Sequence, residues 1–340
     1  MSNRSQSVVW NKVTSSPINL THGVPQGSIL GPLLFLVMVS ELPGYVTNGV
    51  QGNVDANMIC YADDSTLYAS SKCEVSLRNE LERMSNRMLT FCRQVGLVIN
   101  SDKTQLMVSG ITLRDFSVKV GDNQIYPSKE LKLLGITYDT NFKTTPYLRQ
   151  LASDAKTRAA IIARLSYSVP PNLLKLFTNG LLVGKLIAAA PAAIPFRINH
   201  EDKGAIVLTD KINCALKSAA RTITRTRLTD KVKSDIVLQK AGLKSLNEMV
   251  AYTSATTIWK SKLWMDPLGS LLFQKSAANH NGGISTRSKN SCNAKLPVPG
   301  CMTLAANLLA RLWNASPDLQ KAETLGAAKQ AARKLSKCLL

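Results

Sequence analysis

Two adjacent carboxylates, Asp63 and Asp64, stand between two short apolar runs, Asn57-Met58-Ile59-Cys60 and Ser65-Thr66-Leu67-Tyr68. That arrangement predicts a tight β-hairpin with acids at its tip. Neighbouring side chains on a strand point to opposite faces, so the two acids share one site only if the backbone turns beneath them. A turn displaying carboxylates suits a hard divalent cation that substrate phosphates also bind; a solvated Asp-Asp turn is the plain alternative.

Charge divides the chain in two. Residues 1–139 carry 12 Lys and Arg against 12 Asp and Glu, whereas residues 140–340 carry 30 against 10, so all of the net charge of +20 lies in the second part. A neutral first part joined to a basic second part points to nucleic acid as the partner. An anionic membrane surface would call for a concentrated polybasic run beside an apolar anchor, and none occurs. The start, Met1 to Ser5, is polar and lacks the apolar centre of a signal peptide. Two apolar stretches, Ile29 to Val39 and Leu186 to Phe196, are too short to cross a bilayer. Seven scattered cysteines without a Cys-x-x-Cys pair imply reduced, intracellular thiols and no disulfide framework. His280, Cys292 and Cys301 match no zinc spacing and read as loop residues.

Along the chain, Val8-Val9-Trp10 and Ile18-Asn19-Leu20 read as strands around a Ser15-Ser16-Pro17 turn, and Gly23 to Gly27 as a loop. Ser28 to Val39 reads as an apolar helix with Pro32 in its first turn. Ser71 and Glu74 have capping-box spacing, and Leu77, Leu81, Met84, Met88, Phe91 and Val95 recur at steps of four and three, an amphipathic helix that Gly96 ends. Strands are expected at Leu97–Ile99, Thr104–Val108, Ser117–Val120 and Leu131–Tyr138, with turns at Asn100–Asp102 and Gly121–Asn123. Beyond Asp139 the chain reads as helices rich in Leu, Ala, Lys and Arg.

In this context several segments resemble one family. Gly23-Val24-Pro25-Gln26-Gly27-Ser28-Ile29-Leu30-Gly31-Pro32 is similar to the reverse transcriptase segment that passes under the incoming nucleotide. Tyr61 to Asp64 resembles the metal-binding hairpin of the same polymerases, and Gly96 to Thr104 the next motif with its lysine, Lys103. Leu131 to Ile136 resembles the hairpin that grips the primer. Four motifs in order over about a third of the chain make a specific match, closest to non-LTR retrotransposon polymerases of the jockey-like kind.

The resemblance implies an α/β (α+β) palm remnant with an antiparallel sheet, followed by an all-α thumb-like and C-terminal region. The implied domains are a partial palm at 1–140, a helical basic thumb-like domain at 141–276, a Ser/Asn/Gly/Pro-rich linker at 277–299 and a basic helical segment at 300–340. It implies Mg²⁺ or Mn²⁺ held by Asp63 and Asp64, nucleotide contact by Pro25, Gln26 and Gly27, a proton from Lys103 to the leaving pyrophosphate, and primer support by Leu134 and Gly135. Template RNA, primer DNA and deoxynucleotides are the implied partners, without a membrane. The densest basic cluster, Arg221, Arg225, Arg227, Lys231 and Lys233, is expected to contact phosphates; a solvated helix face is the alternative for any one of them.

One element of the family pattern is not matched. A palm strand carrying the first catalytic aspartate precedes the Pro-Gln-Gly segment in such enzymes, whereas Met1 to Leu20 contains no Asp or Glu, and Asp55 falls too near the hairpin to belong to that strand. The chain is therefore expected to be the C-terminal two-thirds of a polymerase unit, incomplete in catalysis by itself. The other reading is a nucleic-acid-binding protein that keeps the basic helices without the chemistry.

Overall fold

The structure is a computed structural model that describes residues 4–20, 23, 27–50, 54–110, 116–190, 192–194, 203–264, 309 and 312–338. It divides into two compact units, Met1–Leu134 and Gly135–Leu340.

In the first unit, β1 (Arg4–Gln6), β2 (Val9–Trp10), β3 (Val13–Thr14) and β4 (Ile18–Leu20) form one antiparallel ribbon, β1 against β4 and β2 against β3. The two-residue turn at its end carries Asn11 and Lys12 at φ 48° and 66°, the left-handed pair that a tight hairpin requires. Three residues, Ser15 to Pro17, lie opposite two, Ser7 and Val8, so the expected turn at Ser15-Ser16-Pro17 is a bulge. Helix α1 (Gly31–Val39) starts with Pro32 in its first turn, and its Leu33, Leu36 and Val37 are exposed.

The unit's core lies under the acidic hairpin, β5 (Asp55–Tyr61) and β6 (Asp64–Ser70). Met58 opposite Leu67 and Cys60 opposite Ser65 share the inner face, and Met58 packs with Leu42 and Val46 of α2 (Leu42–Thr47) and with Met84 and Phe91 of α3 (Glu74–Gln94). The apolar steps along α3 deliver that stripe as expected. Burial also pushes the Cys92 thiol up on this helix.

Two arginines of α3 hold the carbonyl end of α2. Arg83 pairs with buried Glu80 at 2.6 Å and donates to Asn48 O at 3.0 Å. Arg87 donates to Tyr45 O at 2.7 Å and lies over the Tyr45 ring. These contacts satisfy carbonyls that a short helix leaves open and partner the Glu80 charge that the core encloses.

Several expectations need correction. The capping box does not form: Cys73 is the residue that caps α3, so Glu74 falls in the first helical position and pairs forward with Arg78 at 2.9 Å, while Ser71 Oγ accepts from Cys73 N. Leu97–Ile99 is not a strand, and Val98 is exposed. Thr104–Val108 contributes only a bridge from Leu106 to Pro127. The cause is local: Asn100 Oδ1 accepts from Asp102 N and Lys103 N and winds Ser101–Lys103 into a 3₁₀ turn. Beyond β7 (Val118–Val120) and its partner β8 (Asn123–Ile125), the expected strand Leu131–Tyr138 is two strands, β9 (Glu130–Leu133) and β10 (Ile136–Asp139), separated by a turn at Leu134-Gly135. Among the described residues the strands pair two by two, so a single antiparallel sheet is not what forms.

The second unit is helical after β10. Helix α4 (Thr145–Leu165) buries Leu148, Leu151, Ala155, Ala159 and Ile162, one face at helical spacing, against α7 (Lys203–Thr224). Between them in sequence, α5 (Pro171–Thr178) runs through a π-helical turn, Asn179–Val183, into α6 (Gly184–Ala189). Arg158 donates to Leu181 O at 2.6 Å within that turn. Helices α8 (Ser234–Ala241) and α9 (Leu246–Trp264) follow, then α10 (Pro317–Gln320) and α11 (Leu325–Cys338). Helix α11 packs Ala328, Ala331, Ala332 and Leu335 into the same core as α9, and Trp259 donates to Ala322 O at 2.8 Å. Residues 277–299, with His280 and Cys292, and Cys301 lie outside the described residues. Among the described residues no helix is long and apolar enough to cross a membrane.

Met84 is fully buried, so Met84→Ala is expected to lower stability by about 2–5 kcal/mol in urea unfolding. Burial pushes the Tyr138 phenol up, and burial together with the Asp154 charge does the same to Tyr147. The folded unit keeps these protons to higher pH than the unfolded chain does. Their contribution is complete below the ordinary tyrosine value of about 10 and is lost as pH rises through the folded values. The double variant Tyr138→Phe/Tyr147→Phe should therefore flatten the alkaline fall of unfolding free energy.

Candidate nucleotidyl-transfer site

The register of the acidic hairpin ends at Tyr61 opposite Asp64, which makes Ala62 and Asp63 the two central residues of the turn. Ala62 has φ 52°, a left-handed conformation that its Cβ disfavours. This bend places Asp63 at the apex and Asp64 at the first position of β6, both exposed. Asp64 stands across from Tyr61 on the outer face, which continues through Ile59 opposite Thr66 and Asn57 opposite Tyr68. The backbone does turn beneath the acids, as their sharing of one site requires.

Neither aspartate is held in a salt bridge among the described residues. Their four carboxylate oxygens are hard donors, the chemistry that a hard divalent cation also bound by water and phosphate prefers. The pair does not complete a two-ion centre: the described residues contain no group of three or more acidic, His or Cys side chains placed to hold a metal. Asp55 shares the outer face but is six positions from Tyr61, about 20 Å along the strand.

The other expected site residues are placed as follows. Gly27 has φ 81°, and a Cβ there would meet nothing within 4 Å, so within the chain it is the backbone conformation that asks for glycine. Pro25 and Gln26 lie outside the described residues. Lys103 closes the 3₁₀ turn with an exposed side chain and forms no ion pair with Asp63 or Asp64 among the described residues. Leu134 and Gly135 both take left-handed backbone, φ 47° and 83°, and Leu134 is exposed. These residues form a presented turn that interrupts the strand expected over Leu131–Tyr138.

Arg225, Arg227, Lys231 and Lys233 are exposed between α7 and α8. Arg221 differs from them: it is half-buried and donates to Arg227 O and Val232 O. Sequence carried no signal for that role, nor for the bend at Ala62.

Comparisons with known proteins concern the segment that contains this hairpin. Residues 4–138 match the family described as reverse transcriptase (RNA-dependent DNA polymerase). The chain is 31% identical over 141 residues to the probable RNA-directed DNA polymerase from transposon BS of Drosophila melanogaster, covering 40% of this chain and 15% of that protein. It is 26% identical over 158 residues to the RNA-directed DNA polymerase from mobile element jockey of Drosophila funebris, 46% of this chain and 17% of the relative. It is 22% identical over 190 residues to the putative 115 kDa protein in type-1 retrotransposable element R1DM of Drosophila melanogaster, 55% of this chain and 18% of the relative, a stretch too long to end at residue 138. No solved structure matches. Residues 4–138 are thus similar to the reverse transcriptase segment of jockey-like, non-LTR retrotransposon polymerases. It spans less than a fifth of the length of these curated relatives. Reverse transcriptases use divalent metal ions, in keeping with the paired acids at the hairpin tip.

The bend at Ala62 gives a direct test. Ala62→Val puts a β-branched side chain on left-handed backbone and should destabilise the hairpin by about 1–3 kcal/mol, whereas Ala62→Gly should leave it as stable or more so. Hydrogen exchange of the β5 and β6 amides reads both outcomes.

Proposed function

We propose that this chain contributes the palm hairpin and a basic, thumb-like helical part to an RNA-directed DNA polymerase, acting on an RNA template, a DNA primer and deoxynucleotides. The observation that carries the reading is the turn at Ala62-Asp63, which presents two exposed carboxylates, neither in a salt bridge among the described residues, within a segment matched by the reverse transcriptase family. Asp63 and Asp64 would hold Mg²⁺, or Mn²⁺ in its place. When bound, such an ion lowers the pKa of a primer 3′-hydroxyl and neutralises charge on the leaving pyrophosphate.

The chain's own residues supply position. Pro25, Gln26 and Gly27 are the proposed nucleotide contacts, of which Gly27 has left-handed backbone, and Leu134 and Gly135 present backbone to the primer. Lys103 is the proposed proton donor to pyrophosphate, on an exposed side chain able to reach a solvent-facing ligand. The setting is intracellular, consistent with four free cysteines, Cys60, Cys73, Cys92 and Cys214.

A second reading, nucleic-acid binding without nucleotide addition, is favoured by one observation: the described residues provide two acids at the hairpin and no third. Two-ion chemistry depends on fixed ligand geometry, so extension by this chain alone is expected to be slower by orders of magnitude than by a complete centre.

Both readings are checked on the full chain. Mn²⁺ should broaden the amide signals of Tyr61 to Ser65, and the variant Asp63→Asn/Asp64→Asn should abolish that broadening; unchanged signals in the unsubstituted chain would refute metal binding at the tip. Primer extension on an RNA template with Mg²⁺ or Mn²⁺ then separates the two. Efficient extension that Asp63→Ala abolishes supports a working centre, and salt-sensitive RNA binding without extension supports the second reading.

A further inference from the structure

The segment joining α7 to α8, residues 225–233, contains four cations, Arg225, Arg227, Lys231 and Lys233, and one acid, Asp230. All four cations are exposed, and none is in a salt bridge among the described residues. Asp230 does not offset them by side-chain pairing: its Oδ2 accepts from the Arg227 backbone N at 2.7 Å. The acid therefore shapes the loop while the cations face solvent.

Arg221 completes that shaping from the last turn of α7. Its Nη1 donates to Arg227 O at 3.4 Å and its Nη2 to Val232 O at 3.1 Å. One planar fork thus ties both arms of the loop to the helix, with a fixed geometry that a lysine's rotating ammonium does not preorganise. Arg225 and Lys231 take left-handed backbone, φ 53° and 52°, a conformation that persists only when neighbouring contacts enforce it. Thr226 N donates to Arg221 O at 3.1 Å, and the Thr224 and Thr226 hydroxyls lie 2.8 Å apart, which fixes the exit from the helix.

We propose that residues 225–233 are a preshaped cationic loop that grips the sugar–phosphate backbone of nucleic acid, and that Arg221 is a positioning residue that sets its shape, not a phosphate contact. The proposal rests on the nucleic-acid reading above for the class of polymer alone and needs no chemistry at Asp63 or Asp64. Phosphate is favoured over a lipid surface because Leu228 is the one large exposed apolar side chain of the loop, too little for an anchor. Exposed Arg and Lys with no aromatic side chain among them make contacts that are independent of base sequence.

The test is fluorescence anisotropy of a labelled uridine homopolymer titrated with the full chain over a salt series. Arg225→Ala, Arg227→Ala, Lys231→Ala and Lys233→Ala should each weaken binding and lower the slope of log affinity against log salt by about 0.7 per lost phosphate contact. Arg221→Lys keeps the charge, yet should weaken binding several-fold at an unchanged unfolding midpoint and speed hydrogen exchange at the Asp230 and Lys231 amides. Should Arg221→Lys also lower the midpoint, Asp230→Ala decides the matter. That variant adds net positive charge, so charge alone predicts tighter binding, whereas removal of the oxygen that accepts from Arg227 N predicts weaker binding. Wild-type affinity in Arg221→Lys, or tighter binding by Asp230→Ala, overturns the preshaped loop. An unchanged slope in all four alanine variants overturns the loop as the site and leaves the reading of the acidic hairpin untouched. Capture by phosphatidylserine vesicles without RNA binding overturns the choice of partner.

Discussion

The first unit depends on the seven-residue antiparallel register of β5 and β6, from Asp55 opposite Ser70 to Tyr61 opposite Asp64. A slip of one residue would turn Met58 and Cys60 outward and carry Asp64 to the other face, since strand side chains alternate. Packing of Met58 against Leu42, Val46, Met84 and Phe91 opposes that slip. Apolar burial on one face therefore determines where the carboxylates stand on the other. The site is exposed because the core beneath it is not.

Arginine does different work in different places in this protein. Arg83 and Arg87 hold the carbonyl end of α2 against α3, Arg158 satisfies a carbonyl of the π-helical turn, and Arg221 braces the loop after α7. Each donates to a backbone carbonyl, and Arg83 and Arg221 each reach two. The exposed Arg225 and Arg227, a few residues from Arg221, have no such engagement among the described residues and are available to phosphate. A net charge of +20 therefore overstates the cationic surface, because part of it is committed inside the fold.

Much of the first unit was legible from pattern. The acidic hairpin, the amphipathic helix ended by Gly96 and the turn before Asn123 follow from alternation, from steps of three and four, and from glycine. What pattern missed has local causes, a side-chain bond at one place and left-handed backbone at another. Asn100 winds Ser101–Lys103 into a turn where extended chain was expected on either side. The left-handed pair at Leu134-Gly135 breaks what reads as one apolar strand into two. Apolar composition likewise predicted the helix Gly31–Val39, but not that Leu33, Leu36 and Val37 would be exposed.

The amino-acid sequence alone carries the likeness of residues 4–138 to reverse transcriptases and the acidic hairpin, because motif order and the alternation of apolar residues are written along the chain. It also set the charge division, a matter of counting. Tertiary structure alone decided that Ala62 bends left-handed to bring Asp63 to the apex, and that Arg221 is bound to Arg227 O and Val232 O while its neighbours face solvent. The reason is geometric: a guanidinium finds its carbonyl, and a turn its φ, only after helices and strands have set the distances between residues far apart in the chain.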